Sequence, residues 1–344
     1  MAKQTLAVKY RPTTWSDVTE QKSVCIILKQ QLETGTFQSA YLFCGGAGTG
    51  KTTCARIFAN DINGGEGNPI ELDAASNSSV DDVRNIIQQA KTKSLDSEYK
   101  VFIIDECHAI SNTGWQAFLK LIEEPPAKSI FIFCTTNPEK IPKTILSRVQ
   151  RYDFQRISQQ GIFSRLLYVC RKEKEISTAI QWNDAALEYI AKLAEGGMRD
   201  AITMMDKCLS YNTDLTICNV VKALGVANYD SMIEVTSAYI FNEPDKLIKS
   251  LEDIHSTGID MKQFIRQYLN FVLDIKKWFI LGDFKYLQIP EIDTIKEFIN
   301  DLDGTDNWDK ICDLLDIVIK INSAVKYDSN PKYLIEAMLL EGLK

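Results

Sequence analysis

The stretch Ala40–Thr53, AYLFCGGAGTGKTT, decides how the rest of the chain is read. A short apolar run, Ala40–Cys44, enters a turn in which four of six residues are glycine, and a helix-forming run from Lys51 to Ala59 follows at once. The segment Gly45-x-x-x-x-Gly50-Lys51-Thr52 fits the phosphate-loop pattern G-x-x-x-x-G-K-[ST] without a mismatch. Along Gly45, Gly46, Ala47, Gly48, Thr49 and Gly50, small residues let backbone N–H groups turn inward around phosphate oxygens. The helix start beyond them adds partial positive charge. Lys51 is placed to reach β- and γ-phosphates and the Thr52 hydroxyl to ligand Mg²⁺, with Thr53 next in the binding set. A glycine-rich turn that binds nothing is the plain alternative. A strand pattern before it and a helix pattern after it speak against that.

The bulk composition sets the frame. With 344 residues the chain exceeds one ordinary core and implies two or three domains. Hydrophobic and charged fractions of 45% and 25% are those of a soluble globular protein. No run of eighteen apolar residues occurs, and Met1-Ala2-Lys3-Gln4 opens no apolar leader, so neither a membrane span nor a secretory signal is expected. Nine cysteines are scattered with no Cys-x-x-Cys pair, which points to reduced thiols in a cytoplasmic protein. The net charge of −7 is uneven: residues 1–226 balance at +1 and residues 227–344 at −8. That permits nucleic-acid binding by the first part without predicting it.

Along the chain, Pro12 forbids a continuous helix and predicts an extended lead-in. Val24, Ile27, Leu28 and Leu32 then mark an amphipathic helix that Gly35 ends. Ile70–Asp73 reads as a short strand, and Ser79 as the cap of a helix carrying Val80, Val83, Ile86 and Ile87. Val101–Ile104 and Ile130–Cys134 are unbroken apolar runs, as in strands buried on both faces of a parallel sheet. Between them Trp115, Phe118, Leu119 and Ile122 mark a helix stopped by Pro125-Pro126. This alternation predicts a parallel sheet flanked by helices. From about residue 158 the strand signals cease, and helices follow, one capped by Asn183 and the longest at Met261–Leu281.

Val101-Phe102-Ile103-Ile104-Asp105-Glu106 closes an apolar strand with two carboxylates. At the C-terminal end of such a strand Asp105 faces the crevice where ligands of open sheets bind, and can hold Mg²⁺. Glu106 is then placed to polarise a water for γ-phosphate hydrolysis. His108 reads as a structural hydrogen-bonding residue.

Asp105-Glu106-Cys107-His108 resembles the DExH-type Walker B box of the AAA+ clamp-loader ATPases, and the nearest pattern is that of the gamma/tau subunits of bacterial replicative polymerase. Further landmarks resemble the family's in order: Tyr10-Arg11-Pro12 with Trp15–Val18, Ile70–Ser76, Leu121–Pro126, Thr135–Lys140, Ile145–Arg148 and Glu195–Ala201. The resemblance implies a five-stranded AAA+ α/β domain at 1–157, a helical lid at 158–226 and a helical collar at 227–344. It implies that Ala7, Tyr10, Arg11, Pro12 and Val18 hold the base of ATP, and that Thr136 senses the γ-phosphate. Arg199 would touch phosphates of its own subunit, and Arg148 would act as an arginine finger in a neighbour's site. DNA contacts would come from Ser78, Ser79, Arg84, Asn112 and Thr113.

Two departures stand out. Val149 replaces the cysteine usual after Ser147-Arg148, and Asn60–Pro69 is a short glycine-rich loop where the family carries a zinc module, so no zinc is expected. The implied activity is ATP hydrolysis that drives placement of a sliding clamp on primer–template DNA. The implied partners are other subunits in a ring, expected to be pentameric, with no membrane. The end at Lys344 suggests a minimal, gamma-like form, for which a phage origin is one reading. A non-hydrolysing structural subunit and an AAA+ helicase or branch-migration motor are the rival readings.

Overall fold

A computed structural model describes residues 4–65, 68–76, 80–94, 97–225, 229–302 and 307–343. The chain divides into two compact units: Met1–Ile176 with Ile190–Asp206, and Ser177–Tyr189 with Lys207–Lys344.

The first unit begins with a four-residue helical turn, α1 (Leu6–Lys9), which corrects the extended lead-in. Proline excludes helix only around itself, so the turn closes before Tyr10 and the chain straightens at Pro12. There follow α2 (Lys22–Thr34), β1 (Ala40–Gly45), α3 (Lys51–Ile62), β2 (Ile70–Asp73), α4 (Val80–Lys91), β3 (Lys100–Asp105), α5 (Asn112–Glu123), β4 (Ser129–Thr135), α6 (Lys143–Leu146), β5 (Gln150–Phe154) and α7 (Gln159–Ile176). Gly35, in the left-handed region at φ 64°, ends α2. Ile27 departs from the expected buried stripe and is exposed. The expected cap Ser79 lies outside the described residues.

All five strands are parallel, in the order β2-β3-β4-β1-β5. Alternation along the strands explains their unbroken apolar runs. Leu42, Phe102, Ile104, Phe131 and Phe133 pack on one face with Val83, Ile86, Trp115 and Phe118 of α4 and α5. Tyr41, Phe43, Ile103 and Ile132 pack on the other with Leu28 of α2 and Phe58 of α3. Each such side chain contributes about 1.5–3 kcal/mol through burial, so β1, β3 and β4 form the stiff centre of the unit.

The remaining elements are β6 (Gln181–Trp182), α8 (Asp184–Leu193), α9 (Met198–Tyr211), β7 (Asp214–Leu215), α10 (Ile217–Leu224), α11 (Tyr229–Ile240), α12 (Pro244–Ser256), α13 (Met261–Leu281), α14 (Asp293–Leu302), α15 (Trp308–Ala324) and α16 (Pro331–Glu341). The parallel pair β6–β7 corrects the expectation that strands cease near residue 158; at two residues per strand it is too short to show a pattern. Asn183 caps α8 as expected, its Oδ1 accepting from Ala185 N at 3.0 Å. In the second unit α13 is buried through Phe264, Ile265, Tyr268, Phe271, Val272 and Ile275. Asp274, 1% exposed on α13, accepts hydrogen bonds from the backbone N–H groups of Gln288 and Ile289 and pairs with Lys277. Buried charge is tolerated there because it is fully paired.

Candidate nucleotide-binding site

Parallel pairing brings the site together at one sheet edge. Cys44 of β1 stands beside Thr135 of β4, and Ile104 of β3 beside Phe133, so the phosphate loop, Asp105-Glu106 and Thr136 leave three adjacent strands at the same level. Strand order switches direction between β4 and β1, where ligands of open α/β sheets bind.

Glycine is required in the loop for two distinct reasons. A Cβ on Gly45 would lie 2.4 Å from the Phe154 carbonyl oxygen of β5. Gly48 is left-handed at φ +68°, and a Cβ there would come within 3.0 Å of Gly197 Cα. Met198 N donates to Gly48 O at 3.0 Å, so the turn starting α9 sits directly on the loop. Lys51, only 6% exposed, donates from Nζ to the carbonyls of Gly45 (2.8 Å) and Gly46 (2.7 Å). Burial pulls its ammonium below the ordinary lysine value, against the opposing pull of Glu106 and Asp105.

Thr52 Oγ1 donates to Asp105 Oδ2 at 2.7 Å. A hydroxyl and a carboxylate so paired are hard oxygen donors suited to Mg²⁺, so the residues fit the ion that the loop implies. Glu106 follows with φ 45°, a left-handed geometry costing about 1–3 kcal/mol for a residue with a side chain. Its Oε2 accepts from Thr136 Oγ1 at 3.0 Å and lies 3.2 Å from His108 Nδ1, which is 3.3 Å from Thr135 Oγ1.

One cavity of about 300 Å³ joins these groups to the N-terminal segment. Of the residues singled out from the sequence, Ala7, Tyr10, Arg11, Pro12 and Val18 line it, together with Ala47 through Thr53, Asp105, Glu106, Thr136 and Arg199. Gly45 and Gly46, also expected to bind, do not line it; their carbonyls accept from Lys51 Nζ. Sequence reasoning missed Thr19, Ile157, Arg165, Met198, Asp200 and Ile202. Ile157 and Ile202 add to the apolar lining that Ala7, Pro12 and Val18 supply, the kind of surface a base needs. Arg165 of α7 donates to the Tyr10 carbonyl at 2.9 Å, and the Tyr10 hydroxyl donates to Glu173 of the same helix at 2.7 Å. Burial and that carboxylate push the Tyr10 phenol above its ordinary value. Burial, then the charges of Arg56 and Arg199, pulls Arg11 down, with Glu71 and Asp105 countering. A second opening shares Arg11, Thr52, Asp105, Glu106 and Arg199 and adds the carboxylates of Glu71 and Asp73.

The other expected residues lie elsewhere. Arg148 does not line the cavity; it bonds Glu123 Oε1 at 2.8 Å, Thr144 O at 2.8 Å and Ser147 Oγ at 3.1 Å. Arg84 is exposed on α4 beside Asp81, and Asn112 and Thr113 are exposed in the first turn of α5, which Ser111 caps. Ser78 and Ser79 lie outside the described residues.

Residues 65–158 match the family described as DNA polymerase III, delta subunit. The chain is 32% identical to DNA polymerase III subunit tau of Bacillus subtilis (strain 168), across 99% of this chain and 63% of that protein. It is 31% identical to DNA polymerase III subunit gamma of Buchnera aphidicola subsp. Acyrthosiphon pisum (strain APS), across 79% of this chain and 80% of that one. The chain spans between 50% and 63% of the first such relatives. Among solved structures, the RuvB Holliday junction branch migration motor of Thermotoga maritima superposes with a TM-score of 0.51 over 73% of this chain and 86% of that one. At 18% identity that likeness is one of fold, the AAA+ fold.

Proposed function

The chain belongs to the DNA polymerase III gamma/tau family, and from that premise we propose that it is an ATP-hydrolysing motor subunit of a clamp loader. The observation that carries the reading is the convergence of Lys51, Thr52, Asp105, Glu106 and Thr136 on one cavity. These groups suffice to hold a nucleoside triphosphate and activate a water. Loop N–H groups and Lys51 would grip the β- and γ-phosphates, and Mg²⁺, held through Thr52 and Asp105, supplies charge neutralisation when bound. Thr136 fixes one oxygen of Glu106, leaving Oε1 to accept from the attacking water. Arg199 would stabilise charge developing on the same subunit's phosphates. The second opening carries four carboxylates against two guanidinium groups, which suits it to receive a cation from outside; Arg148 of a neighbouring copy or relative would supply it.

In this reading residues 1–157 form the motor domain, 158–226 a lid and 227–344 a collar that joins subunits in a ring. ATP binding organises the ring around a sliding clamp and primer–template DNA in the cytoplasm, and hydrolysis releases the clamp. The intact set Lys51, Thr52, Asp105 and Glu106 weighs against a purely structural subunit. The test is Glu106→Gln, which keeps size while removing the base. It should bind ATP within about threefold of the parent and lose hydrolysis by about 10²–10⁴. Unchanged hydrolysis would overturn the assignment.

A further inference from the structure

We infer that Gln21 is a positioning residue of this site, its buried carboxamide tying the phosphate loop to the turn that carries Arg199; the inference rests on the nucleotide-site reading above. Gln21 is 9% exposed. Its Nε2 donates to Thr49 O in the loop (3.3 Å) and to Gln155 O just past β5 (2.7 Å), while Oε1 accepts from Gln155 N (3.2 Å). From Gln155 the connection continues to the arginine turn: Ile157 N donates to Gly196 O at 3.1 Å, and Arg156 Nη1 to Glu195 O at 2.9 Å. Met198 N donates back to Gly48 O at 3.0 Å. The bonds close a circuit from the loop through Gln21, residues 155–157 and residues 195–198 to the loop again, with Arg199 next in sequence.

The backbone enforces this placement. Glu20 and Gln21 are consecutive left-handed residues, at φ 60° and 50°, a geometry disfavoured for any residue with a Cβ. Such geometry persists only where its surroundings fix it. Here the Glu20 carboxylate accepts from Ser158 N at 3.0 Å and from the Ser158 hydroxyl, and Ser158 Oγ accepts from Gly161 N in the first turn of α7. Val18 and Thr19, immediately before, line the cavity. A glutamine that only satisfied the Gln155 backbone would need no contact with Thr49. The donated bond to the loop makes Gln21 a route by which phosphate occupancy is felt at Arg199.

Gln21→Glu keeps the size and the acceptor for Gln155 N but removes both donated bonds. Gln21→Met keeps the length without charge and guards against an effect of the new carboxylate or of misfolding. Hydrogen exchange is followed in the peptide spanning Glu195–Arg199 with and without saturating ADP. The parent should gain protection there on binding ADP; both variants should bind ADP within about threefold yet lose most of that gain. In ATP hydrolysis, kcat should fall about tenfold or more with KM moved less than about threefold, and in an Arg199→Ala background the further loss should be under about twofold. Retained ADP-linked protection, or the same fold-loss in both backgrounds, would overturn the inference. A parent chain that binds no ADP would overturn the nucleotide-site reading itself; a parent that binds ADP beside unaffected variants would overturn only the role of Gln21.

Discussion

Arg148 is engaged within its own chain by Glu123 and by exposed hydrogen bonds to the Thr144 carbonyl and Ser147 Oγ, yet its side chain and that of Glu123 are substantially exposed, at 39% and 49%. A surface ion pair of this kind is worth about 0.2–1 kcal/mol, so releasing the guanidinium costs little. An arginine delivered to a neighbour's phosphates accelerates hydrolysis by about 10³–10⁵, equivalent to 4 kcal/mol or more. The trans role is therefore energetically open to Arg148. Arg148→Ala in the assembled complex should leave ATP affinity within about twofold and lower the DNA- and clamp-stimulated rate by about 10³, measured by phosphate release. An unchanged stimulated rate would remove Arg148 from the mechanism. The phosphate loop and Asp105-Glu106 were legible in the sequence because their chemistry is local, with neighbouring residues reaching one ligand. Gln21 was not legible, since its partner Gln155 lies 134 positions away. Ile157, Arg165 of α7 and Ile202 of α9 likewise line the cavity from positions far along the chain from the phosphate loop, which no local pattern marks.

The strands that carry the site are stiff because they are buried on both faces. Phe131 of β4 is fully buried and stacks on Phe102 of β3 with centroids 5.0 Å apart. Phe131→Ala should destabilise the protein by about 3–5 kcal/mol in urea unfolding followed by circular dichroism. Phe131→Leu should cost clearly less, because it leaves a smaller cavity. Equal costs would mean that the sheet centre relaxes around the gap. The same burial explains which elements the sequence disclosed. Unbroken apolar runs such as Ile130–Cys134 identify strands covered on both sides, and Pro125-Pro126 marks the end of α5. α1 and the β6–β7 pair escaped because four and two residues carry no period to read. The exposed Ile27 escaped because helical spacing gives the width of an apolar stripe only approximately.

For the whole molecule, the acidity of residues 227–344 and the near-neutrality of residues 1–226 follow the functional division proposed here, with the nucleotide site in the first part and assembly assigned to the second. No helix among the described residues is long and apolar enough to cross a membrane. In the function proposed above, ATP turnover serves clamp loading. Its most direct test is steady-state ATP hydrolysis by the chain assembled with its partner subunits, with and without primed DNA and the cognate sliding clamp. DNA and clamp together should raise the rate about tenfold or more, and Glu106→Gln should abolish the rise. A rate indifferent to both, or stimulation that survives Glu106→Gln, would contradict it.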